Sequence, residues 1–559
     1  MKPSRTLAIA VVCGVLAAGC TRVSESGPGA AASGVQPQSG NAFTIAHTLR
    51  IGDNQNISTL NPHLGTAASL SNIAQLEAAW LLRSNGRNQP VPELATEVPA
   101  EANGGISKDG LTITWHLRRG VKWSDGAPFD ADDLVFSTRA VLNKANNEVG
   151  RNGFDLITKI DEPDKYTVVY HLRKKYAAFW PTFFSTGGAN PSLLPKHVLG
   201  ALPNINDAPF NSLPIGIGPF RVTKWVRDDR VELEANPYYW RGKPKLAHIV
   251  YRFLPDRNTL LTQMQTGEID LWPYAGTGFV DRVKAIPTAA VVQFPGFFYG
   301  HLDFNMQHAV FRDLAVRQAL RLAIDRPTIL AKVNHGAGVV SETPMTPVSP
   351  VFTAFPVIPF DLTRANALLD GAGWKRGADG IRLKGGKRLA LVMAAQSGNP
   401  DGDELIEQIR GTWSRLGVDL QLRRYQPSLF FALQEQGGII YSGKFDVTFF
   451  YWQLDPTGDL SNLLACDQIP PDGQNVDRYC DPKLDAAVKT VLATYDVPKR
   501  RAAVANVVRI LIANVPQVVL YIRDDIHAYN RDLHGWHPNA IAPFDDLMDV
   551  DIGSVNPSP

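Results

Sequence analysis

The chain has 559 residues, of which 44% are hydrophobic and 20% charged, as is typical of a globular protein with two or three domains. Its formal net charge of +2 argues against a nucleic-acid-binding protein, which would carry a strongly basic domain. No long apolar segment follows the N-terminal one, so we expect no membrane-spanning helix in the mature protein.

The N-terminus predicts export. Lys2 and Arg5 precede an apolar run over residues 7–18, which is shorter than the ~20 residues that a membrane-spanning helix needs. This pattern is typical of a secretory signal peptide, which we assign to residues 1–19. The letters LAAGC at 16–20 resemble the lipobox of bacterial lipoproteins, which implies lipidation of Cys20. The alternative is an ordinary cleaved signal followed by a chance cysteine.

Residues 20–40 are rich in Gly, Ala, Ser, Pro and Gln and lack aromatic side chains, a composition typical of a flexible tether. A signal, a lipidated cysteine and a tether together predict an extracytoplasmic protein. We expect it to be anchored by lipid to the cell membrane, on the periplasmic side or the outer face, because multiple acyl chains hold a protein stably at a bilayer.

The predicted elements begin with strands. Residues 112–117 and 166–172 alternate between apolar and polar side chains, so the early part of the chain is expected to be rich in β-structure. Residues 316–324 then place apolar side chains on one helical face, and Pro327 follows.

A strand–helix–strand unit comes next. Residues 389–393 alternate as a strand, residues 405–416 have the apolar periodicity of a helix that ends before Gly417, and residues 418–422 alternate again. This order predicts parallel strands joined by a helical crossover, and hence an α/β fold. Upstream, Gly385-Gly386 favours a hairpin turn.

Two of the four cysteines are left after Cys13 in the signal and Cys20 at the anchor. Cys466 and Cys480 lie 14 residues apart in an exported protein, so a disulfide is the simplest interpretation, and two free thiols are the alternative. No histidine lies between them, which disfavours a metal site.

Catalytic signatures such as H-E-x-x-H and G-x-S-x-G are absent from the sequence. The pair His534 and His537 is expected in a surface turn, and we predict no metal site, no cofactor and no enzymatic activity. Two pairs of adjacent carboxylates are expected to be solvated: Asp132 with Asp133, and Asp524 with Asp525.

Eight segments occur in order along almost the whole mature chain: PVPELATEV (90–98), DGLTITWHLRRGVKWSDGAPFDADDLVFS (109–137), GIGPFRVTKW (216–225), LEANPYYWRGKPKL (233–246), TGEID (266–270), FRDLAVRQALRLAID (311–325), ANALLDGAGW (365–374) and NVDRYCDPKLD (475–485). Together they resemble the family 5 extracellular solute-binding proteins of ABC importers, the dipeptide- and oligopeptide-binding group. One such segment would be weak evidence, whereas eight in order are highly specific.

The resemblance implies a two-lobed, type II periplasmic-binding-protein-like fold of the large peptide-binding subgroup, in which two crossing strands join the lobes. It assigns residues 41–82, 190–292 and 512–559 to lobe I. It implies an extra β-rich domain at 83–189 and lobe II at 293–511. Closure about the hinge would bury the ligand between the lobes.

The segment FFYWQLDPTGDL (449–460) carries the expected ligand site. Peptide binders of the family bind the ligand's amino group with an aspartate three residues before a D-P or E-P pair. Here Asp455-Pro456 is the pair, but Trp452 stands at the position of the acid. Either Asp455 or Asp459 replaces it, or the ligand lacks a free amino terminus.

In the second case, Trp452 and its neighbour Tyr451 would offer a stacking or cation–π surface, unless they are core residues of a strand. Gln453 belongs to the same candidate site. Tyr425 and Gln426, in RRYQPSLF (423–430), are weaker candidates, because the family has another cleft-lining segment there.

The resulting prediction is a monomeric, non-catalytic substrate-binding lipoprotein that delivers peptides to ABC permease subunits. One alternative is the same role for an oligosaccharide, a metal complex or another amphiphile. Others are a receptor or chaperone without transport, and an exported hydrolase, which the missing nucleophile–base signature disfavours.

Overall fold

The structure, a computed structural model, describes residues 41–186 and 191–553. The predicted signal peptide, the lipidation site at Cys20 and the tether to residue 40 lie outside the described residues and stay predictions. Across the described ranges, no helix has both the length and the apolar character needed to cross a bilayer.

The described residues form 21 strands: β1 (Thr48–Asp53), β2 (Leu82–Ser84), β3 (Pro90–Pro92), β4 (Thr112–His116), β5 (Ile157–Asp164), β6 (Thr167–Leu172), β7 (Phe220–Val226), β8 (Arg230–Ala235), β9 (His248–Phe253), β10 (Leu271–Trp272), β11 (Ala289–Phe304), β12 (Gly338–Val340), β13 (Lys375–Arg376), β14 (Arg382–Lys384), β15 (Lys387–Arg388), β16 (Ala390–Gln396), β17 (Asp419–Tyr425), β18 (Val447–Gln453), β19 (Gln517–Asn530), β20 (Leu533–His534) and β21 (Asp551–Ile552). The same residues form 14 α-helices: α1 (Ala68–Glu77), α2 (Ala131–Leu142), α3 (Phe179–Thr182), α4 (Lys196–Leu199), α5 (Arg257–Thr266), α6 (Val280–Lys284), α7 (Leu314–Leu322), α8 (Arg326–Val333), α9 (Leu362–Gly371), α10 (Pro400–Leu416), α11 (Pro427–Phe430), α12 (Ser461–Leu464), α13 (Pro482–Leu492) and α14 (Val497–Asn514).

Two long antiparallel strands, β11 and β19, lie at the centre of an 11-stranded sheet. Strands β10, β1, β9, β8 and β7 follow on one side of this pair, and β18, β16 and β17 follow on the other. The eleventh strand, β12, pairs with β19 outside this order. The register of β11 on β19 shifts between Pro295 and Phe298, where the extra residues form an irregularity in the middle of the strand. The two halves of the sheet therefore share one continuous strand pair.

The predicted strand–helix–strand unit is confirmed. Strands β16 and β17 pair in parallel and α10 connects them, with Gly417 in the left-handed conformation that its C-cap position requires. Gly385 and Gly386 form the two-residue turn between β14 and β15, and both have positive φ. The α/β fold follows from these units.

The helix predicted over residues 316–324 corresponds to α7, which begins at Leu314 and ends at Leu322. It ends earlier than expected because Asp325 caps the next helix, α8, by accepting a hydrogen bond from the backbone of Thr328.

The early part of the chain contains a three-stranded antiparallel sheet in the order β4-β6-β5, so the predicted β-rich character is confirmed. Large aromatic side chains such as Trp115, Trp123 and Phe183 fill its core. The expectation that both carboxylate pairs are solvated is wrong for Asp133, which is buried. Its carboxylate accepts hydrogen bonds from Trp123 Nε1 (3.1 Å) and the Lys196 backbone (2.9 Å).

Cys466 and Cys480 form a disulfide, which confirms the predicted pairing and excludes the free-thiol alternative. The bridge closes a loop between α12 and α13, with a sequence separation of 14 residues. This loop follows β18 in the chain, and part of it lines the cavity described next.

Candidate functional site

A cavity of about 280 Å³ lies beside the end of β18. One wall comes from the early, β-rich part of the chain and its flanking segment: Gly150, Asn152, Phe154, Tyr176, Pro181, Thr182 and Pro191. The opposite wall comes from residues after β18 and from the disulfide-closed loop: Trp452, Gln453, Asp455, Asp459, Asn462, Leu463 and Gln474. Two regions that are distant in sequence therefore enclose one polar and aromatic space.

The turn after β18 positions the acidic groups. Strand β18 pairs with β11 up to Gln453, and the backbone of Leu454 then donates to the Phe297 carbonyl (2.7 Å). The Asp455 carbonyl accepts from Gly458 N–H (3.1 Å), which closes a turn. Gly458 has a φ of +78°, and a Cβ there would lie 2.7 Å from Val504, so this turn requires glycine.

Both carboxylates accept hydrogen bonds through their Oδ1 oxygens. Asp455 Oδ1 accepts from the backbone N–H of Thr457 (2.7 Å) and from its hydroxyl. Asp459 Oδ1 accepts from the backbone N–H of Ser461 (2.8 Å). Within the described part of the chain, neither carboxylate forms a salt bridge, and both residues line the cavity.

Burial dominates the electrostatics of this acidic pair. Burial raises the pKa of Asp455, and the nearby charge of Asp459 raises it further, against the hydrogen bonds from Thr457. Burial also raises the pKa of Asp459. A cationic ligand group would oppose both shifts, because it stabilises the ionised carboxylates.

Two cations act on the pair from outside the cavity lining. The guanidinium of buried Arg500 donates to carbonyl oxygens of the backbone, those of Ala177 (3.3 Å) and Thr494 (3.2 Å) among them. Its charge acts on Asp455. Lys174 is exposed, and its charge acts on Asp459.

The indole of Trp452 supplies the aromatic surface on this wall. Its ring packs edge-on against Phe450 (4.9 Å between centroids) and lies parallel to the buried His301 ring (6.2 Å). Phe154 and Tyr176 line the opposite wall. The cavity thus offers aromatic faces on both sides of the carboxylates.

Three of the predicted ligand residues, Trp452, Gln453 and Asp455, line the cavity together. Tyr451 is not among the lining residues, and its side chain contacts residues of β19 instead. Its hydroxyl pairs with that of Tyr521 (2.6 Å), and Arg523 lies over its ring (5.6 Å).

Tyr425 and Gln426 lie at the end of β17 and are not among the lining residues. The Gln426 carbonyl accepts the hydrogen bond from Phe430 N–H that begins α11 (2.9 Å). The ligand-binding roles of all these residues stay predictions.

Sequence reasoning missed the wall contributed by the β-rich part. Asn152 lies between Gly150 and Gly153 in the letters GRNGF, and the Tyr176 ring occupies the space where a Cβ of Gly153 would stand. In the sequence, the two glycines on either side of Asn152 indicate only a turn. They do not indicate that this turn lies beside the segment after β18, which is distant in sequence. Asp459, Asn462 and Gln474 complete the lining of the cavity. The side-chain amide of Asn462 donates a hydrogen bond to the side-chain oxygen of Gln474 (2.8 Å).

Comparisons with known proteins agree with this architecture. The model of the bacterial extracellular solute-binding proteins, family 5 (middle region), matches residues 89–468. The oligopeptide-binding protein AppA of Bacillus subtilis (strain 168) is 25% identical over 541 residues, which are 95% of this chain and 96% of that relative.

Two solved structures show the same fold. The structure of AppA from Bacillus subtilis in complex with a nonapeptide matches with a TM-score of 0.73 and 22% sequence identity. The match covers 93% of this chain and 100% of the AppA chain. The structure of NikZ from Campylobacter jejuni in complex with Ni(L-His) matches with a TM-score of 0.74 and 26% sequence identity. This match covers 90% of this chain and 99% of the NikZ chain. The chain has the two-lobed α/β fold of these proteins, and it belongs to the bacterial extracellular solute-binding proteins of family 5.

Proposed function

We propose that the protein is the substrate-binding component of an ABC importer and that it captures peptides in the cavity beside Asp455. The observation that carries this proposal is the pair of carboxylates, Asp455 and Asp459, which line a cavity between two distant parts of the chain. An ammonium group is the natural partner of such a half-buried carboxylate. The relative AppA is named for binding oligopeptides, which supports the same ligand class here.

Capture would proceed by closure of two lobes. Lobe I would comprise residues 41–82, 190–292 and 512–559 with the β-rich insertion at 83–189, and lobe II residues 293–511. The strands shared by both halves, β11 and β19, would act as the hinge. The closed protein, a monomer without catalytic activity, would then present the ligand to the permease subunits.

The anchor would hold this monomer beside the permease. Cys20→Ala should move the protein from the membrane fraction to the soluble fraction in a detergent-partition assay, because the predicted lipid is its attachment. Cys13→Ala, in the apolar run of the signal, is the matched control and should leave the protein in the membrane fraction. Membrane association of Cys20→Ala equal to that of the control would contradict the anchor.

Ligand capture is tested with the purified protein. Native mass spectrometry should reveal a co-purified peptide, and calorimetry with a mixed peptide library should show saturable binding. The absence of binding by every library peptide, with folded protein confirmed by circular dichroism, would contradict the peptide-binding role.

A second candidate ligand is a non-peptide amphiphile, such as an oligosaccharide or a metal complex. The observation that favours it is Trp452 at the position where peptide binders of the family carry an acid, together with the likeness to NikZ in complex with Ni(L-His). Among the described residues, no group of three or more His, Cys, Asp or Glu side chains could hold a bare metal ion. A receptor or chaperone role would use the same cavity.

A further inference from the structure

The charged side chains that line the cavity are all acidic. Among the residues that the structure describes, its lining contains two carboxylates, those of Asp455 and Asp459, and no lysine, arginine or histidine. The other polar lining groups are neutral amides and hydroxyls, among them Asn152, Gln453 and Thr182. The cavity therefore offers these anionic partners to a ligand, whereas its described lining offers no cationic partner for a ligand carboxylate.

Within residues 41–186 and 191–553, the protein does not neutralise these two charges by direct contact. The guanidinium of Arg500 is engaged by backbone carbonyls, and Lys174 is exposed to solvent outside the lining. Tyr176, whose pKa the two carboxylates affect, bonds to the hydroxyl of Thr182 (2.9 Å). Burying an ionised carboxylate without a partner is costly, and two neighbouring ones repel each other.

The cavity is large enough for one basic residue. At ~30 Å³ per water, its volume of about 280 Å³ holds at least nine water-sized groups. A lysine residue has about that number of non-hydrogen atoms. An α-ammonium on one carboxylate and a side-chain cation on the other would fill the space and pair both charges.

We propose that the cavity selects ligands with two positive charges at one end, and specifically peptides whose first residue is lysine or arginine. This inference rests on the proposed peptide-binding function and specifies its substrate class. Asp455 and Asp459 each take one cation, and Trp452 and Phe154 cover the aliphatic part of the basic side chain.

The test is calorimetry with matched pentapeptides that differ only in the first residue: lysine, norleucine or glutamate. Norleucine keeps the aliphatic chain of lysine and removes its charge. We expect the lysine peptide to bind at least tenfold more tightly than the norleucine peptide at low ionic strength, and the glutamate peptide to bind most weakly. The preference should shrink as salt is added.

Two variants distinguish a direct contact between the ligand and Asp459 from a long-range effect of negative charge. Asp459→Asn should reduce the preference for lysine over norleucine to threefold or less while the norleucine peptide still binds. Asp467→Asn, which removes an exposed carboxylate of the same segment outside the cavity lining, should leave the preference unchanged.

Equal affinities for the lysine and norleucine peptides in the unmodified protein would overturn this inference and leave the peptide-binding function intact. The inference also fails if the full preference persists in both single variants, Asp459→Asn and Asp455→Asn. Failure of all three peptides to bind would instead reject the peptide-binding function itself.

Discussion

Asp455 and Trp452 are neighbours in the cavity wall, and they represent two ways of holding a ligand. If Asp455 holds a peptide amine, Asp455→Asn should weaken binding by a few kcal/mol, since a buried charge pair loses one partner. Trp452→Ala should cost less, about 1 kcal/mol beyond lost burial. Calorimetry with free and N-acetylated peptides checks the order. Equal binding of both peptide forms, with Asp455→Asn neutral, would favour the aromatic-surface model.

Asp525 corrects the sequence prediction that its pair with Asp524 is solvated. It is 4% exposed, its Oδ1 is buried without a hydrogen-bond donor from the described part of the chain, and a Cβ on Gly296 would lie 2.7 Å from its carboxyl group. Burial raises the pKa of Asp525 to about 7, although the charge of Arg523 lowers it. The folded state therefore holds this proton more tightly than the unfolded state, and the associated stability is lost as the pH rises through about 7.

Asp525→Asn should consequently raise the free energy of unfolding at pH 8 by on the order of a few kcal/mol, with little change at pH 4. Urea unfolding at both pH values measures this. Asp207→Asn, at an exposed site, is the control and should shift neither value. A loss of stability at pH 8 would show that the Asp525 carboxylate has a stabilising partner in the folded protein.

The ligand site was predictable only in part at this scale. The letters WQLDP identified Trp452, Gln453 and Asp455 because the family motif is local in sequence. Strand alternation could not have separated Tyr451 from them, because it places Tyr451 on the same side of β18 as Gln453, which lines the cavity. The wall with Asn152 could not be inferred, because its position depends on packing between distant segments.

Among the elements, the loop closed by the disulfide connects stability to the site. It carries Gln474, which lines the cavity and bonds to Asn462. The double variant Cys466→Ser with Cys480→Ser should lower the free energy of unfolding by about 3 kcal/mol, as chain entropy predicts for a loop of this length. It should also weaken ligand binding, because the loop gains freedom.

Chemical denaturation and calorimetry test the two effects, and the unmodified protein after reduction and alkylation provides a comparison. Thiol labelling of the denatured, unreduced protein should modify neither Cys466 nor Cys480. Stability of the double variant equal to that of the oxidised protein would contradict a stabilising bridge.

Helices and strands were predicted from the sequence where their apolar and polar residues alternate with a regular period. Strand β16, helix α10 and strand β17 were predicted because each keeps its own period over a whole element. The 16-residue strand β11 was not predicted, because Pro295 and Gly296 interrupt its alternation at the register shift. The resemblance to the family implied the two crossing strands, which local periodicity could not.

For the whole molecule, the proposed closure would depend on contacts across the cavity. The Tyr495 hydroxyl, between α13 and α14, donates to the Gly110 carbonyl (2.9 Å) and accepts from the backbone N–H of Tyr176 (3.1 Å). Nearby, the backbone of Ala177 donates to the Leu492 carbonyl (2.7 Å). These bonds join the β-rich part to the proposed lobe II and would be lost when the cavity opens.

Tyr495→Phe should therefore shift the protein toward the open state. The variant loses two hydrogen bonds, each contributing about 0.5–1.5 kcal/mol, and leaves the Tyr176 N–H without its acceptor. Because the ligand is held by the closed state, we expect the apparent Kd for a bound peptide to rise about tenfold. Small-angle X-ray scattering should show a larger radius of gyration without ligand.

Tyr166→Phe, in the turn between β5 and β6, is the matched control and should change neither quantity. If Tyr495→Phe matches that control in both measurements, the Tyr495 contacts do not govern closure, and the balance would lie in the proposed hinge, strands β11 and β19.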